Sequence, residues 1–140
     1  MLIVLSQRID IEPLYNDIPF ERYHFPDRYK NQIHKGDLFI YYQGNRHKRE
    51  HRYYYGCGII SNIVHAPELG HYYALIIKGE KFSKNVPIYD PDGTYYECLD
   101  YNDVRNNLNP PWQSSIRKIS ETAFTAILSQ GGVDINKFSF

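Results

Sequence analysis

The chain has 140 residues, the usual size of one domain, and carries 16 basic against 16 acidic side chains, for a formal net charge of zero. That balance excludes a protein that coats nucleic acid through bulk charge, so any contact with a polyanion must come from a local patch. Apolar residues make up only 42%, but 14 Tyr, 7 Phe and one Trp supply buried area in large pieces, which predicts an aromatic core and half-exposed strand tyrosines.

Taken in order, Leu2 to Leu5 is a short apolar run rich in branched side chains, the pattern of a strand buried on both faces. It is too short for a signal segment or a membrane span, which predicts a cytoplasmic location and no membrane partner. From Asp10 to Asn31, Pro13, Pro19 and Pro26 stand among aromatics without a helical or alternating period, which predicts a long ordered loop with at most one helical turn. After the Lys35-Gly36-Asp37 turn, Leu38 to Tyr42 and Tyr53 to Ile63 read as two strands of a hairpin, with Gly56 and Gly58 allowing a bulge or a close backbone approach.

Tyr72 to Ile77 reads as a further strand. Val86 to Ile88 reads as an edge segment that turns at Asp90-Pro91-Asp92-Gly93 and returns as a short strand over Tyr95 to Leu99. One helix is well signalled: Ser120 is its N-cap, Phe124, Ile127 and Leu128 fall at helical spacing, Ile119 and Phe124 occupy the staple positions, and Gly131-Gly132 stops it. Another helical turn over Asp100 to Asn107 would end before Pro110-Pro111. The expected fold is α+β and mainly β, a small twisted barrel flanked by one or two helices, in a single domain over residues 1–140.

The densest chemical feature lies between the hairpin strands. Arg46, Lys48, Arg49 and Arg52 stand with His47, His51 and Glu50 in a stretch preceded by Tyr41 and Tyr42 and followed by Tyr53 to Tyr55. Cations for phosphates beside aromatic faces for bases are what nucleic-acid binding needs, whereas a charge run alone is as well explained as a solvated loop. Tyr23, His24 and Phe25 before Pro26 form a proline-stiffened aromatic segment able to wall a pocket for a flat ligand, or simply to pin a loop to the core; Trp112 is a comparable candidate.

Enzymatic readings find less support. His47 and His51 have the spacing of helical metal ligands without a helical pattern around them, so neither a metal nor any other cofactor is expected. Asp90, Asp92 and Glu97 could imitate a nuclease cluster but are first of all turn chemistry. Cys57 and Cys98 read as buried thiols, with Cys57 a nucleophile only if a histidine reaches it.

The order Tyr23-His24-Phe25-Pro26, then Gly36 to Tyr42, then Tyr55 to Ile60, with the later segments Phe82 to Ile88 and Ile116 to Ser120, resembles the EVE-like and YTH-like branch of the PUA superfamily. The likeness is to small domains found beside HNH-type and other nucleases in bacterial modification-dependent restriction and phage-defence proteins. It implies a PUA-like barrel that holds a modified or flipped base in an aromatic cage. Tyr23, His24, Phe25, Tyr42 and Trp112 would line that cage, while Arg46, Lys48, Arg49 and Arg52 grip the backbone. The implied partner is DNA, with RNA as the other candidate, and a separate nuclease domain or subunit would do any cutting. The competing functions are a small-molecule sensor or a protein-interaction module using the same pocket, and a small metal-dependent nuclease using Asp90, Asp92 and Glu97.

Overall fold

The computed structural model describes residues 1–7, 18–44, 52–99 and 114–138. Its strands are β1 (Leu2–Ser6), β2 (Arg22–Pro26), β3 (Leu38–Gln43), β4 (Tyr53–His65), β5 (His71–Pro87) and β6 (Ile116–Lys118), and its α-helix among the described residues is α1 (Glu121–Gln130). The structure is mainly β: all six strands join one curled sheet in the order β2-β5-β4-β3-β1-β6, with β1 parallel to β3 and the other pairings antiparallel. No helix among the described residues is long and apolar enough to cross a membrane.

Curling gives the sheet two cores, one on each face. Side chains alternate along a strand, so Phe39 and Tyr41 of β3 enter the inner core with Ile3 and Leu5, while Ile40 and Tyr42 enter the outer core with Val4. The long β5 serves both, sending Tyr72, Ala74 and Ile76 inward and, further along, Phe82 and Val86 to the outer core. Register shifts against β4 and a left-handed Lys78 (φ 51) accompany this bend. Across the curl, the Tyr23 hydroxyl of edge strand β2 donates to the Ser6 carbonyl at 3.1 Å, and the Ser115 N–H, just before β6, donates to the Tyr29 hydroxyl at 3.1 Å. The two ends of the sheet are therefore joined by tyrosine hydroxyls.

Helix α1 closes the outer core as its sequence predicts. Ser120 Oγ accepts the Ala123 N–H at 3.1 Å, Ile119 and Phe124 both lie in the outer core, and Gly132 leaves the helix at φ 82. Ala123, Phe124, Ile127 and Leu128 form its buried face.

Several expected elements change. The loop expected over Asp10 to Asn31 contains edge strand β2, because Tyr23 and Phe25 alternate with His24 and Pro26 falls at the strand end, where a missing donor costs little; residues 10–17 lie outside the described residues. The stretches Tyr72 to Ile77 and Val86 to Ile88 are not separate elements: β5 runs from His71 to Pro87, and Val86 pairs with Tyr54 rather than forming an edge. Tyr95 to Leu99 is a 3-10 turn over Tyr96–Cys98, tied back by the Tyr89–Tyr95 bridge. The helical turn expected over Asp100 to Asn107 lies outside the described residues.

Candidate functional site

Among the described residues, the expected cage side chains divide between the two faces of the sheet. Tyr23 and Phe25 are inner-core side chains, 4% and 1% exposed, with Phe25 stacked on Tyr72 at 5.5 Å. Tyr42 belongs to the outer core, on the opposite face of the sheet, where its ring meets Tyr54 at 5.7 Å and the Arg117 guanidinium lies 4.8 Å above it. His24 leaves β2 on the face away from Tyr23 and Phe25, and stacks on His71 with ring centroids 4.7 Å apart. Trp112 lies outside the described residues. Tyr23 and Tyr42 thus lie in different cores, on strands separated by β5 and β4. Tyr42→Ala is expected to cost about 3–5 kcal/mol of stability, as for a large aromatic removed from a core, and a fall in melting temperature measured by circular dichroism would show it.

Beneath Tyr42 lies a buried ionic network. Glu97, placed by the 3-10 turn, accepts from Arg117 Nε and, at 3.0 Å, from Nη2, while the Tyr54 hydroxyl also donates to it. Arg117 Nη1 further donates to the Ser114 carbonyl at 2.9 Å. Burial opposes the charge on Arg117, yet the Glu97 carboxylate raises its pKa above the ordinary value; burial, and then the same carboxylate, push the Tyr54 phenol well up. Glu97 is thus a structural counter-ion rather than a free metal ligand. Asp90 is occupied likewise, its carboxylate accepting the Asp92 N–H at 2.9 Å and the Thr94 N–H at 2.8 Å as turn chemistry requires.

The hairpin expectation holds at its root. Strands β3 and β4 pair Tyr42 with Tyr54 and Gln43 with Tyr53 around the basic segment. Arg46, Lys48 and Arg49, with His47 and His51, lie outside the described residues, and Arg52 stands half-buried just before β4, close enough to act electrostatically on Tyr42.

Sequence reasoning missed Phe20. Its backbone is left-handed (φ 67), its N–H donates to the Tyr41 hydroxyl at 3.1 Å, and its ring meets Tyr41 edge-on at 5.1 Å. The ring rests on Gly56, where a Cβ would come within 2.6 Å of it, so glycine is required there for close approach. Tyr41 stacks in turn on Tyr55 at 5.2 Å, and Tyr53 meets Tyr55 at 6.3 Å. Of this row, Tyr41 and Tyr55 are fully buried, while Phe20 and Tyr53 pack against the inner core and stay partly exposed. No spacing rule marks Phe20; only the Gly56 that receives it was visible.

Cys57 and Cys98 are buried and unlinked, as expected, and burial pushes the Cys57 thiol up to about 12, which removes it as a nucleophile. His24 is shifted below its ordinary value by burial and by His71, against the opposing charge of Glu68. No family model matches this sequence, and no curated protein matches it either.

Proposed function

We propose that the chain is a nucleic-acid-binding module of the EVE-like and PUA-like kind, reading a modified or flipped base as the recognition domain of a cytoplasmic restriction or defence system. The observation that carries this reading is the rooting of the basic segment Arg46 to Arg52 in an aromatic hairpin, where Gln43 pairs with Tyr53 and the partly exposed rings of Tyr53 and Phe20 lie on the same face. Cations at a hairpin tip hold phosphates without reading sequence, while an adjacent π-face takes up an unstacked base. The Asp90 carboxylate caps its own turn and Glu97 pairs with Arg117, which supports a reading in which the module binds and a nuclease domain or subunit supplies any cleavage.

The test is a binding panel of single strands, RNA, plain duplexes and duplexes carrying methylated or hydroxymethylated cytosine or N6-methyladenine. One modified substrate is expected to bind at least about tenfold more tightly than its plain control, with Tyr53→Ala removing about 1–3 kcal/mol of that affinity. Equal affinity for all duplexes would leave a backbone binder, and no binding to any would pass the assignment to the small-molecule or partner-binding alternative.

A further inference from the structure

His24, Glu68 and His71 each bring one metal-ligating atom to within 4.8 Å of the others. Three pieces of chain meet here. His24 is the middle residue of β2, His71 opens β5 on the same sheet face, and Glu68 stands in the turn between β4 and β5. The turn is held by the Ala66 N–H donating to the His71 carbonyl at 3.0 Å and the His71 N–H donating to the Glu68 carbonyl at 3.2 Å. The Asp27 N–H, just past β2, donates to the Gly70 carbonyl at 2.8 Å, so the turn is also fixed against the strand that carries His24. The donors are thus positioned by backbone rather than by flexible side chains alone.

We propose that these three residues bind one late first-row divalent cation, zinc(II) foremost, pinning edge strand β2 to the β4–β5 turn. Zinc bonds to nitrogen and carboxylate oxygen of about 2.0–2.2 Å set tetrahedral donor separations of roughly 3.3–3.6 Å. His71 Nε2 and Glu68 Oε2 stand 3.6 Å apart, and all three donors lie within 4.8 Å of one another, so binding an ion would draw the His24 imidazole in from its stack on His71. Two imidazoles and a carboxylate suit zinc, copper, nickel or cobalt better than magnesium or calcium, which prefer oxygen alone. His24 forms the buried floor, 7% exposed, and the Glu68 side chain, 62% exposed, forms the open side through which an ion enters and a fourth ligand can bind. The inference stands independently of the nucleic-acid reading and departs from the expectation that no metal is bound.

The experiment is calorimetric titration of zinc(II) into chelator-treated, tag-free protein. One ion per chain is expected, with a rise in melting temperature of roughly 5–10 °C at a hundredfold excess over Kd. Glu68→Gln and His71→Ala, both at positions with solvent access, should each weaken binding at least about tenfold while the metal-free protein melts close to wild type. A His47→Ala/His51→Ala double variant should bind as wild type does. Cobalt(II) should give the intense visible bands of a four-coordinate site, lost in His71→Ala. Zinc affinity unchanged in Glu68→Gln and His71→Ala, or abolished by the His47/His51 variant, would overturn the assignment.

Discussion

Arg117→Ala is expected to destabilise the fold by about 3–5 kcal/mol, the cost of leaving one member of a buried ion pair uncompensated. The Arg117 and Glu97 side chains are 3% and 2% exposed, so water cannot replace the missing partner. Arg117 also lies over the Tyr42 ring, which loses its cation as well. Against a total stability of about 5–15 kcal/mol for a domain, such a loss puts the variant near its unfolding threshold at 37 °C. Arg117→Lys should recover only part of it, because an ammonium cannot offer the two-pronged geometry that Glu97 accepts. Tyr54→Phe, which removes one hydroxyl donor to the same carboxylate, should cost less, about 1–3 kcal/mol. Urea titrations of the three variants give these differences directly; a loss under about 1 kcal/mol for Arg117→Ala would mean that the pair is solvated.

Joint replacement of Arg46, Lys48, Arg49 and Arg52 by Ala should weaken binding to every nucleic acid alike and flatten its salt dependence. Each phosphate contact on duplex DNA contributes about 0.9 to the slope of log affinity against log salt, so losing four contacts should make that slope shallower by about 3 to 4. A change of this size alters the affinity ratio between 50 and 200 mM salt by roughly 60- to 250-fold. The melting temperature should stay close to wild type, since β3 and β4 pair directly through Tyr42 with Tyr54 and Gln43 with Tyr53 on either side of the segment. Titrations at three salt concentrations, with melting curves beside them, separate the outcomes. An unchanged slope would take the hairpin out of the interface.

The sequence was most legible where one local rule settled the structure. Ser120, Ile119 and the glycine pair marked both ends of α1, and the apolar runs of β1 and β3 stood out because both faces of each are buried. It was least legible where a strand is half solvent-facing. Lys78 to Asn85 carries no strand signal of its own, yet it continues β5 because β4 supplies backbone partners and Phe82 is buried in the outer core. β6 was invisible for the opposite reason: three residues carry no periodicity, and their pairing with β1 is a long-range fact. The candidate site followed the same division. The basic segment is contiguous in the sequence, whereas Phe20 on Gly56, Glu97 under Arg117, and Glu68 with the two histidines are brought together only by strand pairing, turns and the curl of the sheet.

Strand β1 lies between β3 and β6, with Ile3 opposite Lys118. A ribosome adding about 5–20 residues per second therefore makes β1 on the order of ten seconds before the strand that covers its outer side. Through that interval β1 can pair with β3, but its other row of N–H and C=O groups stays open to any extended chain nearby. The nascent protein consequently has its greatest exposure to mispairing just before synthesis reaches Ile116. A chain truncated upstream of that residue would keep the open edge permanently, and aggregation would be its expected fate.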